Sequence, residues 1–319
     1  MQGYRLIHRV ARWLAGRRRR RFGKRGTCDH PTDTLCYRLS GMEVAQVDPA
    51  DTPPEGAPVL PRRLIVERGT YRVDNRVFRL DAEGVYRFYA LGRLSEQRLL
   101  WGGDPERLLG LVGWLWSYGN HDDLLAPGAL RDEARHRNVE VTCTTATRFC
   151  VAMFAELGLN GREVLLLTLD PWNQFDNGHT LLEVCAGPAG WVLYDPSFKC
   201  TFRRGGKLLS LLEFVLAVTN DDPYDIVRTD ASRRFASYRQ RGYDFGFWVE
   251  HRMASEQQLR RWYRRVAGVP MIKDSGDFYF TASDAGARDR VLQYPTEYLA
   301  AMHHLPMEEF TRRFYGSAQ

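Results

Sequence analysis

The chain has 319 residues, which is long enough to bury a core in one large domain or two ordinary ones. Hydrophobic residues make up 44% and charged residues 26%, a balance that excludes a chain disordered throughout. No run of 18 or more apolar residues occurs, so no helix is expected to span a bilayer.

The net charge of +6 comes from the first 27 residues, which hold ten Arg or Lys and no acid. The remaining chain is mildly acidic, so nucleic acid is not expected as a partner of the fold. Within the first 27 residues, the basic tail, apolar residues at helical spacing lie opposite arginines. This pattern suits a helix on an anionic membrane surface. A disordered basic extension and an organelle transit peptide stay open. Without an apolar run of signal-peptide length, we expect a cytoplasmic protein, peripheral to a membrane if the tail binds one.

Six cysteines are too sparse in a chain of this length for a disulfide scaffold, so we expect reduced thiols. Cys28, His30 and Cys36 lie close in sequence, but no second Cys/His pair completes a structural zinc set. We therefore predict neither a metal nor a cofactor.

Residues 28–100 are predicted to form a linker and a small β region. The stretch 28–60 is rich in Pro, Asp and Gly, which is typical of irregular structure. From residue 63 the hydrophobic period becomes two, and four strands are predicted. They cover 64–66, 71–73, 77–80 and 85–89, with a turn at 81–84 joining the last two.

A core over 101–220 follows. Asp104 and Pro105 suit the N-cap and first position of a helix over 106–118, and a second helix is predicted around 128–136. The strongest helical pattern begins near Cys143 and stops at Gly158. Later elements are strands 164–169, 179–185 and 191–194, a turn over 186–190, and a helix over 207–219. Residues 221–319 are predicted to be a helical C-terminal extension.

The predicted hairpin brings an imidazole to a carboxylate. If its strands fold back about Gly187, His179 and Asp195 lie opposite one another or one diagonal apart. At that separation a carboxylate can fix the tautomer of an imidazole and stabilise the imidazolium. This prediction needs only the position of the turn and antiparallel pairing.

Cys143 is the candidate nucleophile. A thiol at a helix N-terminus lies at the positive end of the helix dipole, which favours the thiolate, and a neighbouring imidazolium would lower its pKa further. The same helix end offers backbone N–H groups to an oxyanion. Cys143, His179 and Asp195 are therefore the candidate catalytic residues.

Three blocks of the sequence resemble the transglutaminase-like superfamily. They are the Cys143 helix closing in Leu-Gly-Leu, the strand His-Thr-Leu-Leu-Glu-Val from His179, and Gly-Trp-Val-Leu-Tyr-Asp-Pro ending at Pro196. The resemblance covers about 139–200 and implies an α+β, papain-like core whose nucleophile helix packs on an antiparallel sheet. It also implies Cys143 as nucleophile, His179 as acid/base and Asp195 as its orienting group. Thr144 and Leu181 depart from the family pattern, which leaves the acyl acceptor and the cleft shape open.

The function so implied is thiol-based acyl chemistry on a peptide, protein or other amide or ester. Hydrolysis is slightly favoured over amine transfer, because nothing flags a calcium site of the animal transglutaminase kind. A non-catalytic domain that binds a protein or glycan is the alternative, and a nucleic-acid binder acting through the basic tail is a third.

Several other residues are candidates for the site. Trp114, Trp116, Asn120 and His121 could reach the cleft, although both tryptophans suit the core better. The loop residues 172–174 could gate substrate. Glu183 could order the site or be solvated, and Cys150 is expected in the core. Aromatic groups over 243–248, 262–263 and 278–280 could line the cleft, although such groups usually build core.

Overall fold

A computed structural model describes residues 34–40, 43–50, 52, 54–73, 76–90, 96–171, 177–229, 255–293 and 301–316. The predictions for the basic tail, for Cys28 and His30 and for 243–248 lie outside this part of the chain. Among the described residues, no helix combines the length and the apolar character needed to cross a membrane.

The fold is mixed, with helices and strands interleaved along the chain. The helices in the described ranges are α1 (Pro105–Val112), α2 (Pro127–Ala134), α3 (Cys143–Glu156), α4 (Leu211–Thr219), α5 (Glu256–Val266), α6 (Ala285–Leu292) and α7 (Met307–Tyr315). The first eight strands are β1 (Thr34–Ser40), β2 (Glu43–Val47), β3 (Gly69–Val73), β4 (Arg76–Leu80), β5 (Gly84–Ala90), β6 (Glu96–Trp101), β7 (Trp116–Tyr118) and β8 (Val139–Val141). The others are β9 (Gly161–Leu167), β10 (Gly178–Cys185), β11 (Trp191–Asp195), β12 (Cys200–Arg204), β13 (Lys207–Leu208), β14 (Asp225–Arg228), β15 (Val269–Asp274), β16 (Asp277–Phe280) and β17 (Met302–His304).

The largest sheet has nine strands. Its main order is β13-β12-β11-β10-β9-β15-β16-β17, and β14 also pairs with β12. All pairings are antiparallel except that of β16 with β17. This sheet carries the predicted hairpin at its centre, so the coarse α+β expectation is met.

The two faces of this sheet pack against different helices. Leu182 and Val184 of β10 join the core cluster that contains α3. Leu181, which points the other way because strand side chains alternate, joins the cluster that contains α4 and α5. His179 shares the alternation of Leu181, and Asp195 shares that of Leu193 in the same cluster. The imidazole and the carboxylate are therefore on the α5 side, while α3 packs on the other side.

The prediction of a helix over 106–118 was wrong at the C-terminal end. Asp104 is the N-cap and accepts a hydrogen bond from Arg107 N, as the sequence indicated, but α1 ends at Val112. Gly113 follows, and 116–118 then pair in parallel with β8. Pairing with β8 brings the end of β7 beside the start of α3.

The N-terminal β region is larger than predicted. Strands β1 and β2 pair antiparallel inside the stretch expected to be irregular. The strands on either side of 81–84 do not pair with each other, because β4 pairs with β3 whereas β5 joins β1 and β6. Residues 64–66 make only an isolated bridge, from Ile65 to Leu100.

The C-terminal extension was expected to be helical, and this was wrong in part. Its described residues form three helices, but also β15, β16 and β17, which extend the central sheet from β9. Val269 pairs with Leu167 and Ile272 with Val164. The extension is therefore continuous with the core through backbone hydrogen bonds.

Candidate active site

The hairpin of β10 and β11 has its centre one residue beyond the predicted position. Leu182 pairs with Tyr194 and Glu183 with Leu193, which puts the centre of the turn at Pro188. Continuing this register places Asp195 opposite Leu181, one diagonal from His179. The two side chains meet there, with His179 Nε2 2.7 Å from Asp195 Oδ2.

Asp195 is fully buried, and each of its two carboxylate oxygens accepts two hydrogen bonds. Its Oδ1 accepts from the backbone N–H groups of Ser197 and Phe198, at 2.8 and 3.0 Å. Its Oδ2 accepts from His179 and from the Tyr263 hydroxyl, both at 2.7 Å. Burial would raise the pKa of Asp195, but the charge of His179 and these donors lower it. The carboxylate is thus kept ionised away from water.

His179 is only 3% exposed. Its ring lies 5.9 Å from those of Trp262 and Phe198, between centroids. Burial would lower the pKa of His179, but the charge of Asp195 and the hydrogen bonds to Asp195 and Cys143 raise it to about 10. Because Nε2 is bonded to Asp195, Nδ1 is the nitrogen that faces the thiol.

Cys143 is the first residue of α3, with Thr142 as N-cap. Asp123 accepts hydrogen bonds from both the backbone N and the hydroxyl of Thr142, which fixes the chain as it enters the helix. His179 and the backbone N–H of Thr180 are the neighbouring groups that lower the pKa of the Cys143 thiol. The next residue, Thr144, shares a hydrogen bond with the Thr180 hydroxyl at 2.8 Å, so the first turn of α3 lies against the start of β10, where His179 is.

The electrostatics of this thiol differ from those of the buried cysteines. Desolvation raises the pKa of Cys143, but the hydrogen bond and charge of His179 and the Thr180 N–H outweigh it and lower the pKa overall. Cys150, two turns further along α3, is fully buried, and burial alone raises its pKa. Cys200 likewise has a pKa raised by burial. As a residue Cys143 is half-buried, whereas Cys150 and Cys200 are buried.

The other sequence candidates have structural environments of their own. Trp116 is buried against Phe149, and its indole N–H donates to Pro196 O at 3.0 Å, so it braces the turn after Asp195. Trp114 is also buried, whereas Asn120 and His121 are half-buried in the segment after β7. Residues 172–174 are outside the described part of the chain.

Glu183 is neither solvated nor part of the site. It is fully buried and ion-paired to Arg162 at 2.6 Å. It also accepts from the backbone N of Leu211 at the start of α4 and from the Tyr315 hydroxyl on α7. Glu183 therefore joins the sheet to two helices.

The sequence did not indicate the contacts that α5 makes at the site. Trp262 and Tyr263 were predicted to line the cleft or, as such groups usually do, to build core, whereas Trp262 contacts the imidazole and Tyr263 hydrogen-bonds to the carboxylate. Phe278 and Phe280, from the last aromatic group, are buried core residues. In the part of the chain that the structure describes, no group of three or more His, Cys, Asp or Glu is placed to hold a metal.

Comparison with known proteins gives no match to a family model, to a curated protein or to a solved structure. The geometry of the site is therefore the basis for the function that follows.

Proposed function

We propose that this protein is a transglutaminase-like thiol enzyme that forms an acyl-enzyme on Cys143 from an amide or ester. The observation that carries the proposal is the arrangement of three groups, in which the His179 imidazole is hydrogen-bonded to the buried Asp195 carboxylate and also interacts with the Cys143 thiol at the tip of α3. It combines a lowered thiol pKa with a raised imidazole pKa. A thiolate–imidazolium pair is the form in which such a site attacks a carbonyl.

The reaction follows from the positions of these groups. The Cys143 thiolate attacks the carbonyl carbon, and the N–H groups of the first turn of α3 are the donors available to the oxyanion. His179 gives its Nδ1 proton to the departing amine or alcohol as the tetrahedral intermediate collapses to a thioester. Water or an amine then attacks the thioester and gives a proton to His179. An acid or an amide is released, and the thiolate–imidazolium pair is restored.

The first test is selective alkylation. With limiting iodoacetamide near neutral pH, Cys143 should react at least about tenfold faster than Cys185, which is similarly half-buried but outside the site. His179→Ala should remove most of this advantage, because the imidazolium no longer stabilises the thiolate. Peptide mapping by mass spectrometry measures both rates in one sample. Equal slow rates at Cys143 and Cys185 would favour the non-catalytic binding domain.

The second step of the same test identifies the acceptor. Incubation with p-nitrophenyl acetate should leave an acetyl group on Cys143, visible in the intact mass, and Cys143→Ala should abolish it. Adding a primary amine then distinguishes the two reactions. Release of acetate alone indicates hydrolysis, which we favour, whereas an N-acetylated amine indicates transfer.

A further inference from the structure

Helix α5 supplies a hydrogen bond to the same carboxylate oxygen that holds His179. The Tyr263 hydroxyl and His179 Nε2 each lie 2.7 Å from Asp195 Oδ2. Tyr263 comes from the C-terminal extension, 68 residues after Asp195. Its side chain is fully buried, so water does not replace this donor.

The ring of Tyr263 is held by aromatic residues on the sheet and on α4. Its centroid lies 5.1 Å from that of Phe202 and 5.3 Å from that of Phe214, both edge to face. Arg260, one turn earlier, donates to Tyr224 O at 2.6 Å and ties α5 to the chain before β14. These contacts fix where the hydroxyl points, independently of the hydrogen bond that it makes.

The carboxylate needs this donor because of where it lies. Asp195 is on the sheet face opposite α3, so the nucleophile helix contributes none of its hydrogen bonds. The Ser197 and Phe198 N–H groups satisfy Oδ1. On Oδ2, His179 and Tyr263 are the donors, and without Tyr263 this oxygen would keep His179 as its donor. A buried carboxylate with fewer donors is more easily protonated and less firmly oriented.

We propose that Tyr263 is a positioning residue of the active site, which holds the Asp195 carboxylate ionised and oriented towards His179. The inference rests on the proposed function and extends it to the C-terminal extension. Residues 255–266 are then a part of the catalytic centre and not only a packing element. Trp262, the neighbour of Tyr263, covers the imidazole from the same helix.

The test is Tyr263→Phe in the full chain, with Tyr224→Phe as the matched control. Phenylalanine keeps the ring and its packing and removes only the hydroxyl. Tyr224 lies in the same aromatic cluster, 5.5 Å from Phe214, but its ring contacts the Arg260 guanidinium and its hydroxyl is not among the donors to Asp195. Tyr263→Phe should slow the alkylation of Cys143 near neutral pH about tenfold. The acid limb of its pH profile should move to higher pH, because Asp195 takes up a proton sooner.

The outcomes separate the two proposals. If Cys143 of the unmodified protein shows no advantage over Cys185, the proposed function fails. If it does, and Tyr263→Phe matches Tyr224→Phe in rate and pH profile, only the role of Tyr263 is overturned. A Tyr263→Phe variant that loses thermal stability but keeps the pH profile would also count against the positioning role.

Discussion

At the scale of single residues, the chemistry of the site depends on whether the pKa of Cys143 or that of His179 is the higher. In an isolated pair, a thiol with an ordinary pKa of 9.0 beside an imidazole at 6.5 would remain neutral at pH 7. Here the pKa of Cys143 is lowered and that of His179 is raised to about 10. The thiolate–imidazolium pair is therefore the stable form at pH values between these two pKa values. Asp195 is the cause, because its buried negative charge stabilises the imidazolium.

This order predicts a pH profile. The alkylation rate of Cys143 should reach its half-maximum below pH 9, because the thiolate forms at a lowered pKa. Amide turnover should fall above about pH 10, where His179 loses the proton that the leaving group needs.

Asp195→Asn is the diagnostic variant for this profile. Asparagine removes the negative charge that stabilises the His179 imidazolium, so the pKa of His179 should fall and the alkaline limb should move to lower pH. Turnover at neutral pH should drop by about 10³-fold. An alkaline limb left in place in Asp195→Asn would show that His179 does not control it.

The His179–Asp195 contact could be predicted from sequence because it is local. Two short strands around one glycine-rich turn fix the register to within a residue, and one diagonal step is within hydrogen-bonding reach. Tyr263 could not be predicted in this way. Its contact with Asp195 spans 68 residues, and nothing in a Trp-Tyr pair on an Arg-rich helix distinguishes a polar contact from core packing.

At the scale of elements, the start and end of α3 determine where the Cys143 thiol lies. The helix begins at Cys143 and ends before Gly158, which has a φ of 72°. That left-handed conformation is strained for any residue with a Cβ, and it lets the chain turn back into β9. Both ends of α3 were predicted correctly because each has a local signal.

A pair of glycine substitutions tests the end of α3. Gly158→Ala should lower the free energy of unfolding by about 1 kcal/mol, because alanine is strained at positive φ. Gly128→Ala is the control, since Gly128 lies in the first turn of α2 with open space around its Cα. It should raise the free energy of unfolding by about 0.5 kcal/mol.

Urea unfolding of both variants measures these changes. A neutral Gly158→Ala would mean that α3 continues beyond its observed end in solution.

Elements without a local signal were predicted less well. The hydrophobic spacing over 106–118 is consistent with a single helix. Residues 116–118 nevertheless pair with β8, because a parallel partner more than 20 residues away satisfies their backbone groups. Similarly, 269–274 became a strand by pairing with β9 across the domain. In both cases the partner is distant in sequence, so the hydrophobic period alone could not decide between helix and strand.

At the scale of the whole molecule, two buried arginines join the N-terminal β region to the core. Arg98 of β6 donates through Nε and Nη2 to Ala134 O, at 2.9 and 2.6 Å, and also to the backbone oxygen of Arg137. These carbonyls lie at the C-terminal end of α2, where a cation also interacts favourably with the negative end of the helix dipole. Arg135 donates in the other direction, to Pro61 O and Arg63 O at 2.9 Å. The two regions therefore share one set of buried hydrogen bonds.

Such a junction predicts that the N-terminal region and the core unfold together. Arg98→Met fills a similar volume but leaves buried carbonyls at the end of α2 without donors, so the free energy of unfolding should fall by about 3 kcal/mol. Arg79→Met is the control, because Arg79 is exposed on β4 in the same region, and it should change stability by less than about 0.5 kcal/mol. Thermal unfolding followed by tryptophan fluorescence and by far-UV circular dichroism measures both.

The position of Arg98 also predicts how its loss affects the β region and the core. Arg98 lies between the β region and α2, the helix that precedes β8 and α3. Its loss should therefore shift both signals to the same lower midpoint and slow Cys143 alkylation only as unfolding begins. Two separate midpoints in the unmodified protein would mean that the β region is an independent unit. In that case the buried arginines would stabilise an interface between domains, and the α3 site would retain its reactivity after the β region had unfolded.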